Sequence, residues 1–247
     1  MYAIIGGSGL AKLSALDRPR RMVMRTPYGE PSGALTFGHL AGREVVFLAR
    51  HGYGHTIAPH DINYRANVWV LKDLKVEGVV AVATVGGIRE DLGPGSLIVP
   101  DQIIDYTHSR KSTFFEGPDV PVTHIDFTQP YSERLRANLL EAATACVEAV
   151  VDGAVYACTQ GPRLETAAEI ERIARDGGEI VGMTGMPEAA LAREAGLDYA
   201  TLAVVVNHAA GRGASKHQIK LEELDGVMRA TVVRAVRILE SMLGTAA

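Results

Sequence analysis

Asn207 closes the apolar run Val204-Val205-Val206, and Glu165 ends the segment Gly161-Pro162-Arg163-Leu164-Glu165. Both are planar hydrogen-bonding groups beside strand-like sequence, and as a pair they suit the edge of a purine. A buried carboxamide can point both N–H donors at neighbouring acceptors, as O6 and N7 of hypoxanthine or guanine require, while an ionised carboxylate accepts the N1–H of those bases. Adenine has a lone pair at N1, which Glu165 would repel. Each residue also has an ordinary use: an Asn can end a strand and a Glu can begin a helix.

A second group of residues suits an anion. Gly6-Gly7-Ser8-Gly9-Leu10 follows a short apolar strand, and a tight turn there can aim backbone N–H groups and the Ser8 hydroxyl at a phosphate. The turn begins like a dinucleotide fingerprint, but the third glycine falls on Lys12, and no lysine–hydroxyl pair follows as in a nucleotide P-loop. Arg50-His51-Gly52-Tyr53-Gly54-His55 comes after another strand, with Arg50 offering a bidentate fork and His51 a further donor. Gly52 and Gly54 oppose the helix that would align His51 and His55 on a metal, so a metal site is not expected. Thr84 and Thr184 supply hydroxyls after two more apolar runs, with Met183 as apolar wall. Convergence of Ser8, Arg50, His51, Thr84 and Thr184 on one phosphate is the expectation to test.

Positioning these residues requires a particular kind of scaffold. Short β-branched runs at 3–5, 45–49, 79–84, 96–99, 154–159 and 199–206 alternate with amphipathic helical stretches at 62–74, 132–149, 166–174, 187–195 and 221–243. Several runs are nearly all apolar, as strands covered on both faces should be. The alternation predicts an α/β fold, a mixed β-sheet flanked by helices, with residues 1–247 forming a single domain. Residues 110–128 form the longest irregular segment, and the last four residues read as frayed. His217 lies just before the final helix and offers a hydrogen-bond donor.

Composition narrows the class. Hydrophobic residues make up 47% of the 247 and charged residues 22%, ordinary values for a globular protein. A net charge of −4 provides no basic surface for nucleic acid. The N-terminus lacks a secretory pattern and no apolar run approaches a membrane span, so a cytoplasmic protein without nucleic-acid or membrane partners is expected. Cys146 and Cys158 fit reduced core thiols.

With these residues assembled, the chain resembles the trimeric branch of the purine nucleoside phosphorylase family, and within it the methylthioadenosine phosphorylase group. The resemblance spans nearly the whole chain. It rests on Gly6-Gly7-Ser8-Gly9-Leu10, Arg50-His51-Gly52 with His55, Asn63-Tyr64-Arg65-Ala66-Asn67, Gly86-Gly87-Ile88-Arg89-Glu90, Gly161-Pro162-Arg163 and Met183-Thr184-Gly185-Met186-Pro187-Glu188-Ala189. What it implies is reversible phosphorolysis by a homotrimer, with inorganic phosphate as co-substrate and no metal or organic cofactor. By resemblance, Ser8, Arg50, His51, Thr84 and Thr184 bind phosphate, and Met183, Leu164, Glu165, Asn207, His208 and Ala209 contact the nucleoside. Asn207, His51 and Ser8 form the implied catalytic set. Leu164 stands where many relatives place a Phe. Relatives that cleave methylthioadenosine carry Asp at the positions of Asn207 and Ala209, whereas those selective for 6-oxopurines show the Asn and the Glu present here. S-methyl-5′-thioinosine joins the two halves of this hybrid. Alternatives are an inosine/guanosine phosphorylase, methylthioadenosine phosphorylase proper, and a non-catalytic nucleotide-binding module.

Overall fold

Long apolar strands bury both faces only if helices cover both, and this chain is arranged in that way. The computed structural model describes residues 1–10 and 13–245. Lys12 and the terminal Ala246-Ala247, read above as a missing glycine position and a frayed end, lie outside the described residues. The first half runs β1 (Tyr2–Gly6), β2 (Asp17–Met22), β3 (Leu35–Leu40), β4 (Arg43–Ala49), α1 (Tyr64–Asp73), β5 (Val79–Gly87), β6 (Leu97–Val99) and β7 (Gln102–Asp105). The second half runs α2 (Glu133–Ala145), β8 (Val151–Asp152), β9 (Val155–Cys158), α3 (Ala167–Arg175), β10 (Ile180–Gly182), α4 (Gly185–Glu194), β11 (Tyr199–His208) and α5 (Leu221–Thr245).

The strands form one mixed sheet in the order β2-β3-β4-β1-β5-β10-β9-β7, with β11 alongside β5 and continuing to β6 and β8. Strand β5 is its axis. Its first residues pair in parallel with β1, its whole length pairs in parallel with β11, and Gly86-Gly87 pair antiparallel with β10. Alternate residues of β5 enter opposite cores: Val79 and Ala81 pack towards α1 and α4, Val80 and Val82 towards α2 and α5. Because β1, β4, β5 and β11 are parallel, Gly6, Ala49, Thr84 and Asn207 all approach the same end of the sheet.

Local signals begin the helices where expected. Asn63 accepts from the Ala66 amide (3.1 Å), Ser132 caps α2, and Thr166 with Glu169 forms a capping box for α3. The expected α/β architecture is present, and the stretch 106–131 carries neither helix nor strand. Five strands escaped the sequence reading. Strand β2 (Asp-Arg-Pro-Arg-Arg-Met) is wholly exposed, so it has no buried face to produce an apolar pattern, and β8 and β10 are two and three residues long. Among the described residues, no helix is long and apolar enough to cross a membrane.

Candidate active site

Six strand ends open onto one cavity of about 1000 Å³. At one side lie the turn after β1, the loop after β4 and Thr84 of β5; at the other lie the loops after β9, β10 and β11. Of the residues expected in the site, Ser8, Arg50, His51, Thr84, Leu164, Glu165, Met183, Thr184, Asn207 and Ala209 line this cavity. His208 does not.

The anion side is built around a buried ion pair. Arg50 is 1% exposed, and its Nε and Nη2 donate to the Glu188 carboxylate at 2.7 and 2.9 Å, while Nη1 donates to the Val82 carbonyl at 3.1 Å. The bidentate fork expected to grip phosphate is therefore occupied by Glu188. A guanidinium has five N–H groups, so one remains on each terminal nitrogen for an anion. Burial disfavours the charged guanidinium, but Glu188 more than offsets it and raises the pKa further above its ordinary value. Gly7 permits this packing, since a Cβ there would lie 2.8 Å from Arg50 Nη1.

Glu188 arrives from α4, whose first turn is interrupted at Met186 (φ −117°, ψ 141°) because the residue before a proline avoids helical geometry. Tyr199 also donates to Glu188 at 2.8 Å, so the carboxylate is fixed from two elements. Thr184 sits at the head of α4 without a side-chain cap bond to it.

His51 departs from expectation in a second way. Its Nδ1 lies 2.8 Å from the Ile57 carbonyl, which can only accept, so Nδ1 holds the ring proton. Burial, with Arg50 and His55 nearby, lowers its pKa to about 4. The imidazole is neutral and presents Nε2 as an acceptor, not the donor anticipated for phosphate. The His55 ring stands 4.5 Å from it, tilted by 42°. Among the described residues, no three His, Cys, Asp or Glu side chains are grouped to hold a metal.

On the base side, Asn207 lies where the β11–β5 register shifts between Val205 and Asn207. The bulge turns Val206 and Asn207 both towards the cavity and swings His208 away, to pack against Gly93 and Gly213. The irregularity that brings Asn207 to the cavity leaves His208 off its lining. The Asn207 amide nitrogen donates to the His208 carbonyl at 2.7 Å, leaving one N–H and the side-chain oxygen for a ligand, where two donors were anticipated. Glu165 Oε1 accepts from the Thr159 hydroxyl at 2.5 Å, leaving Oε2 available. Ala209 is buried beside them, and Leu164 is 40% exposed at the rim. Gly161, at φ +61°, lies against Met183 so closely that any side chain there would collide with the sulfur.

The far wall was not foreseen. Ile219, Leu221, Leu224 and Met228, from the start of α5 and the loop before it, present apolar side chains to the cavity, with Asp225 among them. The three- and four-residue spacing of Leu221, Leu224 and Met228 was visible, but a helix face of this kind reads equally as core packing. His217 is exposed and off the cavity lining. Glu188 was part of a quoted motif without a role.

A model of the phosphorylase superfamily matches residues 1–244. A probable S-methyl-5′-thioinosine phosphorylase of Pseudomonas syringae pv. tomato is 54% identical over 229 residues, covering 93% of this chain and 92% of that protein. The 6-oxopurine nucleoside phosphorylase of Pyrococcus furiosus is 47% identical, covering 87% and 82%. Among solved structures, methylthioadenosine phosphorylase of Schistosoma mansoni in complex with adenine superposes with a TM-score of 0.90 at 34% identity, covering 98% of this chain and 90% of that one.

Proposed function

The chain belongs to the phosphorylase superfamily, and from that premise we propose that it cleaves S-methyl-5′-thioinosine with inorganic phosphate, giving hypoxanthine and 5-methylthioribose 1-phosphate for purine salvage. The observation that carries this reading is the pairing of two unlike walls in one cavity. Asn207 and the free Glu165 oxygen face it at one side, where Ala209 leaves no second carboxylate, and Ile219, Leu221, Leu224 and Met228 face it at another. The first suits a 6-oxopurine, the second an apolar 5′-methylthio group. Similarity to proteins named for methylthioinosine and for 6-oxopurine nucleosides supports the same substrate class.

Phosphate is held by Ser8, Thr84, Thr184 and the two remaining N–H groups of Arg50, and His51 Nε2 accepts a hydrogen bond from the P–OH of monohydrogen phosphate. The C1′–N9 bond breaks ahead of phosphate attack, its electron pair leaving with the base. The adjacent phosphate charge stabilises the oxocarbenium-like sugar, and Asn207 donates its free N–H to N7 as negative charge develops there. A phosphate oxygen then bonds to C1′, with no covalent enzyme intermediate; the purine anion takes up a proton from solvent to become hypoxanthine, balanced by the P–OH proton that the sugar phosphate gives up. Met183 lies beneath the ribose, and holding both substrates in register supplies much of the rate. The enzyme needs no metal or organic cofactor and works as a cytoplasmic homotrimer.

A second reading, inosine or guanosine phosphorolysis, draws on Asp225, whose carboxylate at the cavity could accept a hydrogen bond from a 5′-hydroxyl. One experiment separates them: phosphate-dependent kcat/KM for methylthioinosine, methylthioadenosine, inosine and guanosine. We expect methylthioinosine to exceed each of the others by about tenfold or more, the value of one well-placed apolar group or one unsatisfied polar group. Preference for methylthioadenosine would reject the base reading, and preference for inosine would reject the 5′ reading.

A further inference from the structure

Arg110 comes from the irregular stretch between β7 and α2 and does not line the cavity, yet it ties together the loops that do. Its five N–H groups reach six acceptors, none of them a carboxylate, so one Nη1 hydrogen is shared between two. Nε reaches the Gln160 side-chain oxygen at 3.2 Å; Nη1 reaches the Tyr64 hydroxyl at 3.2 Å and the main-chain oxygens of Met183 and Met186 at 2.9 and 2.6 Å. Nη2 reaches the main-chain oxygens of Thr159 and Gln160 at 3.3 and 2.8 Å. A planar guanidinium bonded to four main-chain carbonyls fixes backbone on two sides of itself, through charge-assisted bonds stronger than neutral ones.

Those carbonyls are well placed to matter. Met183 is cavity wall, and Met183 and Met186 bracket Thr184. Thr159 and Gln160 lead into the loop that carries Glu165, and the Thr159 hydroxyl is itself the donor to Glu165 Oε1. The path from Arg110 to the base-reading carboxylate is therefore two hydrogen bonds long. Its other arm ends at the Met183 main chain.

The geometry points to Arg110 as a positioning residue for base selection: it holds the Thr159–Glu165 loop against the Met183 wall so that the free Glu165 oxygen meets the N1–H of a 6-oxopurine. This inference rests on the base reading proposed above. It differs from a purely structural role in what it moves. A loosened fold lowers turnover of every nucleoside alike, whereas a loosened Glu165 erodes the preference for oxo over amino bases.

The test is the ratio of kcat/KM for methylthioinosine to that for methylthioadenosine at saturating phosphate, in the wild type, Arg110→Lys, Arg110→Met and Thr159→Val, together with KM for phosphate. We expect the ratio to fall by about tenfold in Arg110→Met and in Thr159→Val, and by about threefold in Arg110→Lys, with phosphate KM changed by less than about twofold in Thr159→Val. The double variant Arg110→Met with Thr159→Val should lose no more selectivity than Arg110→Met alone, because both break one path. If Arg110→Met does not fold, Arg110→Lys and Thr159→Val decide the matter. A wild-type preference retained in the variants overturns this inference alone. A wild type without the preference overturns the base reading and this inference with it.

Discussion

Asn207 has one amide hydrogen to offer a base, because the His208 carbonyl takes the other. Its partner Glu165 likewise has one oxygen free once Thr159 has engaged the first. In the proposed reading selectivity rests on few contacts, and replacing them should redirect it. Asn207→Asp with Ala209→Asp places two carboxyls where a 6-amino group and N7 would lie, and we expect the kcat/KM ratio to shift towards methylthioadenosine by about 10- to 100-fold. Absolute rates should fall as well, since the new carboxylate at 207 meets the His208 carbonyl that the amide satisfied; competitive assays of the two nucleosides measure both effects. His51 makes a prediction about acid. Burial is the main cause that lowers its pKa to about 4 from 6.5, so the unfolded chain takes up the proton first as pH falls. The contribution is fully present above pH 6.5 and is lost as pH falls towards 4. Thermal unfolding followed across that window should show a shallower acid loss in His51→Gln than in the wild type; parallel curves would remove His51 as a source.

Strands and helices decide which side chains meet. The extended Met186 before Pro187 brings Glu188, fully buried, against an Arg50 that leaves β4 on the other side of the sheet's centre. Deleting the carboxylate leaves a buried guanidinium without its counter-charge, so Glu188→Ala should cost about 3–5 kcal/mol in urea unfolding. Glu188→Gln, which keeps one acceptor, should cost less, and in both variants phosphate KM should rise while nucleoside selectivity stays near that of the wild type. A stability loss without any change in phosphate KM would mean that the pair serves the core alone. The β11 bulge works at the same scale, since one extra residue turns Asn207 in and His208 out. Strict alternation along a strand cannot foretell it, so the position of His208 off the cavity lining was not legible in the sequence. Strand β2 was missed because an exposed edge leaves no apolar period to read.

Across the whole molecule, the site collects residues from Gly7 to Met228, nearly the full length of the chain, at one end of a sheet whose central strands run parallel. Parallel pairing delivers the loops after β1, β4, β5 and β11 to one edge. The loops after β9 and β10 arrive from the opposite direction, because β10 runs antiparallel against Gly86-Gly87 and ends level with the last residues of β5. The alternation of apolar runs and amphipathic helices and the chemical identities of Asn207, Glu165 and Ala209 were legible in the sequence, since each depends on residue type or on neighbours a few positions away. Which donors remained free was decided only in three dimensions. Glu188 lies 138 positions from the Arg50 it occupies, and the Ile57 carbonyl sets the His51 tautomer. The first turns of α5 line the cavity through contacts that span most of the chain's length. Residue types limit what a site can do; long-range contacts consume some of those donors and acceptors, and the remainder reaches the ligand.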